Sequence, residues 1–186
     1  MSEAPPSRSL PKRVLMETLP CEVEGLPVLG IGSANLSPLP FEPHGSFVVT
    51  GPSGSGRTTS LASLARSLQR WNSAVVLYLL TPKRSSELAA LSDWAEVAAG
   101  TDAVVALATR VQAEIHEGGH RGPVAVVIER VDDLAGTSAG SALSALVQAC
   151  VAHDQFAVPQ GRPPVFRPRL VLPGRLPPPR AGFAWP

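Results

Sequence analysis

The clearest chemistry in this sequence lies in residues 51–58, which read Gly-Pro-Ser-Gly-Ser-Gly-Arg-Thr. They match the pattern G-x-x-x-x-G-K-[ST] at every fixed position except 57, where arginine replaces lysine. Glycines let the backbone turn so that successive N–H groups converge on an anion, and the N-terminus of a following helix adds partial positive charge. The segment therefore predicts a phosphate-binding loop. A glycine-rich turn without a ligand is the alternative.

Two side chains of this segment have separate predicted roles. Thr58 is expected to place its hydroxyl on Mg²⁺, and Arg57 to bring positive charge to the terminal phosphates. Arginine keeps the charge of lysine, but its guanidinium is larger, planar and forked, so the exchange changes the geometry. The candidate nucleotide-binding residues are nine consecutive positions: Gly51, Pro52, Ser53, Gly54, Ser55, Gly56, Arg57, Thr58 and Thr59.

An acid follows the apolar run Val124–Ile128, and an enzyme that uses such a loop needs an acid at the end of a neighbouring strand to hold Mg²⁺. Glu129 is therefore the predicted Mg²⁺-side acid and a possible catalytic residue, with Asp133 as the second choice. An ordinary charge at a strand end is the alternative. The next position is Arg130, where many ATPases place a carboxylate that orients the attacking water. Arginine cannot act as a base near neutral pH, which argues against hydrolysis more than against binding.

Strand and helix patterns alternate around these residues. Apolar residues spaced three or four apart predict helices, and continuous apolar runs predict strands covered on both faces. The predicted strands are Ser46–Thr50, Ala74–Leu80, Val124–Ile128 and one that starts at Gln155, after an extended run over Leu26–Gly32. The predicted helices are Gly56–Trp71, Thr101–Glu117 and Ser138–His153, with a short one over Ser85–Leu91. This alternation predicts an α/β fold with a parallel sheet between helices.

Composition divides the 186 residues into three parts. Of the 20 prolines, most lie near the two ends, so we predict an N-terminal segment over 1–23, a globular domain over 24–158 and a disordered tail, rich in proline and arginine, over 159–186. A net charge of +1 argues against a generally basic nucleic-acid coat protein. The sequence has no apolar run of membrane-spanning length and no signal-peptide core, so a cytoplasmic protein is expected.

Residues 24–158 resemble the FtsK/SpoIIIE family of P-loop ATPases, and most closely the degenerate ATPase modules of actinobacterial type VII secretion proteins. The matching stretches are Leu26–Gly30, residues 45–59 and residues 126–134. In the last stretch the family has apolar residues, Asp-Glu, two variable residues and Asp-Leu. Glu129 thus replaces the family's aspartate, Arg130 replaces its catalytic glutamate, and Asp133 matches.

The resemblance implies a RecA-like three-layer sandwich with a mostly parallel sheet, and it implies ATP and Mg²⁺ as cofactors. Relatives form hexameric rings or tandem modules that move double-stranded DNA or export proteins. The expected function is an ATP-binding module with weak or no hydrolysis, in a homo-oligomer or a larger complex that reaches the membrane only through a partner. The alternatives are a non-catalytic nucleotide-binding scaffold of a secretion or translocation complex, and a degenerate remnant.

Proline raises one structural expectation. In the RecA-like order the fourth strand lies between the loop-bearing strand and the acid-bearing strand, and here that strand runs directly into Pro159. Proline removes a ladder hydrogen bond and is confined to edge strands or bulges. The sequence therefore predicts a sheet that is incomplete on its C-terminal side.

Overall fold

A computed structural model of the chain describes residues 11–161, apart from residues 12, 34 and 121. Residues 1–10 of the predicted N-terminal segment and residues 162–186 of the predicted tail lie outside this range. The strands are β1 (Glu22–Val23), β2 (Leu26–Ile31), β3 (Pro38–Pro40), β4 (Gly45–Ser46), β5 (Val76–Thr81), β6 (Glu96–Ala99), β7 (Val124–Ile128) and β8 (Phe156–Pro159). The α-helices are α1 (Arg57–Trp71), α2 (Thr101–Glu117), α3 (Val131–Leu134) and α4 (Ser138–Ala152).

The main sheet has five parallel strands in the order β4-β8-β7-β5-β6. Strand β8 lies between β4 and β7, as the RecA-like order requires. The register pairs Leu80 with Ile128 and Ile128 with Pro159, so β5, β7 and β8 end together at one edge of the sheet. The predicted α/β class with a parallel sheet is confirmed.

Helices cover both faces of this sheet. Helix α2 buries the stripe that its sequence spacing predicts, and it packs with α4 against one face. Helix α1 packs against the other face, where alternate residues of β5 and β7 point towards it. The buried residues of α2 are Val104, Leu107, Ala108, Val111 and Ile115. The three-layer arrangement follows because residues of a parallel strand alternate between two covered faces.

The predicted buried strand Ser46–Thr50 is wrong in most of its length. Of its residues only Val49 is buried, Phe47 is 39% exposed, and regular pairing stops at Ser46. One isolated bridge, from Val49 to Gln160, continues the contact. The reason is that β4 is an edge strand among the described residues, where it pairs only with β8, so less of its length is covered.

The expectation that Pro159 excludes a central β8 is also wrong. The carbonyl oxygens of Ala157 and Pro159 accept hydrogen bonds from Phe47 and Val49, at 2.9 and 3.0 Å. The N–H and C=O of a strand residue point to the same side, so the missing donor of Pro159 faces β4. On the other side the Gln160 amide donates to the Ile128 carbonyl at 2.8 Å. The proline therefore interrupts the weak edge pairing and leaves the pairing with β7 intact.

The predicted extended run over Leu26–Gly32 corresponds to β2, whereas β1, β3 and β6 have no counterpart in the sequence prediction. Strand β6 extends the sheet beyond β5, and β1, β2 and β3 form a small antiparallel sheet that packs on α1. The buried Ser67 hydroxyl donates to the Val28 carbonyl at 2.6 Å, and the Trp71 indole donates to the Gly25 carbonyl at 2.9 Å. Strand β1 begins at Glu22 and β8 ends at Pro159, just outside the predicted domain bounds. In the described part of the chain no helix is both long and apolar enough to cross a membrane.

Replacing Gly122 by alanine is expected to lower the free energy of unfolding by about 2 kcal/mol, in the range for an overpacked site. Gly122 precedes β7, and a Cβ there would lie 2.3 Å from the carbonyl oxygen of Ala74, next to β5. A backbone atom cannot move away as a side chain can. Urea denaturation measures the change. Gly136→Ala is the control because a Cβ at that position meets nothing within 4 Å. Equal stability of the two variants would contradict the prediction.

Candidate functional site

The glycine-rich segment forms a turn between the edge strand and α1. Gly54 and Gly56 have φ angles of 78° and 84°, in the left-handed region that favours glycine. Gly56 is the residue before the first turn of α1, and among the described residues no side chain caps that turn. The helix N-terminus is therefore open to a ligand, as in anion-binding loops.

Most amides of this loop have no acceptor within the described residues. The first bond of the helix runs from the Ser60 amide to the Gly56 carbonyl at 2.8 Å, and the Ser55 amide donates to the Pro52 carbonyl at 3.3 Å. Within the described part of the chain, the amides of Gly54, Gly56, Arg57 and Thr58 donate no hydrogen bond. Exposed donors that converge at a helix start form an electropositive site for phosphate.

The loop and the predicted acid open onto the same cleft, whose volume is about 990 Å³. Of the nine candidate loop residues, Ser55 and Thr59 do not line this cleft, and both are exposed. Glu129 and Lys83 reach the cleft from just beyond the ends of β7 and β5, and Asp133 reaches it from α3. The loop residues that line it are Gly51, Pro52, Ser53, Gly54, Gly56, Arg57 and Thr58.

Glu129 is only 4% exposed and is held by two hydroxyl groups. The Thr81 hydroxyl donates to its Oε2 atom at 2.8 Å, and the Ser86 hydroxyl donates to the same atom at 2.6 Å. A buried carboxylate needs such donors because its desolvation is costly. Sequence reasoning missed both partners. The signal for Thr81 is that it follows the apolar run of β5 in the way that Glu129 follows the run of β7, whereas Ser86 has no such signal.

Arg130 occupies an unusual conformation at the rim of the cleft. Its φ is 51°, which is uncommon for a residue with a side chain, and its amide donates to the Gln160 side chain at 3.2 Å. Its guanidinium forms an ion pair with Asp133, with a distance of 2.5 Å from Nη2 to Oδ2. The position that the resemblance gives to a catalytic glutamate thus holds a cation, and the second-choice acid is paired with it.

The comparison with known families decides the identity of the fold. A family model described as an AAA domain matches residues 42–158. The chain belongs to the AAA domain family. No curated protein sequence matches this AAA domain.

Solved structures share the fold of this AAA domain at low sequence identity. The cytoplasmic domain of the Thermomonospora curvata type VII secretion ATPase EccC is 18% identical, with a TM-score of 0.63, and the match covers 85% of this chain and 21% of that one. EssC (ATPases 2 and 3) from Geobacillus thermodenitrificans is 14% identical, with a TM-score of 0.58, and the match covers 90% of this chain and 38% of that one. The chain therefore spans well under half of these structures. The predicted resemblance to FtsK/SpoIIIE-type P-loop ATPases is confirmed.

Proposed function

We propose that this AAA domain binds ATP with Mg²⁺ in the cleft between residues 51–58 and Glu129. The observation that carries the proposal is that unpaired loop amides and a buried acid face one cleft, although 70 residues separate them in the chain. Phosphate and its counter-cation need this combination of donors and carboxylate. The proposed nucleotide-binding domain is residues 24–158, flanked by the segments 1–23 and 159–186.

The residues of the cleft fit the two groups. The loop amides at Gly54 to Thr58 would hold the phosphates, with Arg57 adding charge beside them. The Thr58 hydroxyl and the Glu129 carboxylate would hold Mg²⁺, which on binding neutralises charge on the phosphate oxygens. The two hydroxyl donors keep Glu129 oriented at its Oε2 atom. Ser55 and Thr59 remain in the proposed loop as backbone rather than as side-chain contacts.

We propose that the domain hydrolyses ATP weakly or not at all. Arg130 cannot accept a proton from water, and its ion pair with Asp133 also engages the acid predicted as the second choice. The same observation favours the second candidate function, a nucleotide-binding scaffold of a secretion or translocation complex. Phosphate release with Mg²⁺ and ATP separates a weakly hydrolysing motor from the scaffold, because the scaffold binds ATP without measurable turnover.

The likeness to EccC and EssC supports a proposal about where the domain acts and in what assembly. Those structures belong to secretion ATPases, and EccC is represented by its cytoplasmic domain. We propose that this chain acts in the cytoplasm as part of a homo-oligomer or a larger complex. The proposed cargo is double-stranded DNA or a secreted protein, and this proposal rests on the FtsK/SpoIIIE resemblance.

The Thr58→Ala variant tests the proposed site. In the presence of Mg²⁺ its dissociation constant for ATP is expected to rise about tenfold, since a charge-assisted contact is lost, whereas in EDTA it should match the wild type. Fluorescence titration with a labelled ATP measures both. The control is Thr109→Ala, which removes an exposed helical threonine from α2. A wild-type chain that binds no ATP with or without Mg²⁺ would end the proposal.

A further inference from the structure

We propose that Lys83 provides the ammonium group that position 57 lacks, and that it binds the outermost phosphate of ATP. This inference rests on the proposed function. Lys83 lies two residues after the end of β5, outside every motif that the sequence analysis used. It nevertheless lines the same cleft as Arg57 and Glu129. Its side chain is exposed and forms no ion pair within the described residues.

Hydrogen bonds link the backbone around Lys83 to the predicted acid, Glu129. The Lys83 amide donates to the Thr81 hydroxyl oxygen at 3.2 Å, and that hydroxyl donates to Glu129 Oε2 at 2.8 Å. On the other side of Lys83, the Ser86 hydroxyl donates to the same carboxylate oxygen at 2.6 Å. The turn over residues 82–85 is therefore tied to Glu129 at both ends. This arrangement presents Lys83 beside the acid rather than on a free surface loop.

The strand order gives Lys83 its place relative to the phosphates. The loop follows β4, at one edge of the sheet, and β5 lies beyond β8 and β7 from that edge. Lys83 thus approaches the cleft from the side opposite the loop. In the proposed site the loop amides surround the inner phosphates of ATP. A cation from the opposite side of the cleft would therefore meet the outer end of the triphosphate. A lysine ammonium is compact and can approach a single phosphate oxygen, which the broad guanidinium of Arg57 does less well.

The adjacent residue supplies a matched comparison. Arg84 has the same charge and is equally exposed, but it does not line the cleft. If Lys83 is only a solvated surface cation, removing either side chain has the same effect on nucleotide binding. If Lys83 contacts the phosphate, only its removal weakens binding.

The experiment measures dissociation constants for ATP and ADP with Mg²⁺ on the full chain. For Lys83→Ala we expect ATP binding about tenfold weaker and ADP binding nearly unchanged, since one charge-assisted contact to the last phosphate is lost. Arg84→Ala is expected to bind both nucleotides like the wild type. The melting temperature without nucleotide should be the same for all three chains, which shows that the variants are folded.

A second pair of variants tests whether Lys83 compensates for position 57. In Arg57→Lys, a lysine returns to the loop, so adding Lys83→Ala should weaken ATP binding less than about twofold, a clear departure from additivity. If Lys83 had a purely structural role, its removal would weaken ATP binding equally with arginine or lysine at position 57. Wild-type ATP binding with no loss in Lys83→Ala, or an equal loss for ADP, overturns the Lys83 assignment alone. Absence of ATP binding by the wild type overturns the proposed function and this inference with it.

Discussion

Replacing Arg130 by glutamate is expected to raise the rate of phosphate release from ATP about a hundredfold, the lower range for an added general base. Arg130 lines the cleft and directly follows Glu129, the acid after β7. The FtsK/SpoIIIE pattern has its catalytic glutamate at this position. The substitution supplies a carboxylate that can orient and deprotonate water. It also breaks the ion pair with Asp133 and removes a guanidinium from the rim of the cleft.

Arg130→Gln is the control for this gain. It removes the same guanidinium and the same ion pair, but it provides no base. Steady-state phosphate release with saturating Mg²⁺ and ATP compares the two variants with the wild type. If the glutamine variant is as fast as the glutamate variant, the effect comes from the loss of arginine and the assignment of this position as the missing base is wrong.

The second large effect is expected for Glu129→Gln, in which Mg²⁺ should lose most of its influence on ATP binding. We expect ATP affinity in Mg²⁺ to fall by about a hundredfold, the upper range for altered metal sites, and to approach the value in EDTA. The glutamine carbonyl oxygen can still accept hydrogen bonds from the hydroxyls of Thr81 and Ser86. The melting temperature of the nucleotide-free chain should therefore change little.

Two further variants make this result specific. Glu87→Gln removes an exposed carboxylate that follows Ser86 in the chain, and it is expected to leave Mg²⁺-dependent binding unchanged. Glu129→Ala leaves the Thr81 and Ser86 hydroxyls without their acceptor, so it should lower the melting temperature as well as the affinity. If Glu129→Gln keeps the full difference between Mg²⁺ and EDTA, the carboxylate stabilises the fold and does not serve the metal.

The long periodic elements were predictable from the sequence because their patterns are local. Helix α2 and strand β7 match their predicted bounds, and α1 begins one residue later than predicted. Strand β6 was missed because Glu-Val-Ala-Ala has little intrinsic strand preference, and it forms by pairing with β5. The edge position of β4 was missed because an apolar run shows only that a segment is extended. It does not show how many neighbours the strand has.

The site was predictable where its residues are contiguous and not where strand pairing assembles it. The glycine-rich loop and the acid after β7 could be found from motif spacing. Lys83 reaches the cleft, and Thr81 and Ser86 reach Glu129, only because β5 pairs with β7 in register, which no short pattern reveals. The side chains of Ser55 and Thr59 were included by contiguity, but in the structure neither lines the cleft.

The small antiparallel sheet and the residues just before it hydrogen-bond to the C-terminal end of α1. Besides Ser67 and Trp71, Arg70 donates to the carbonyl oxygens of Met16 and Leu19 at 2.6 and 2.8 Å. Between these contacts and the glycine-rich turn, α1 is one uninterrupted rod of 15 residues, about 22 Å long. Helix α1 thus joins the glycine-rich turn at one end to the segment ahead of β1 at the other, through a single continuous element.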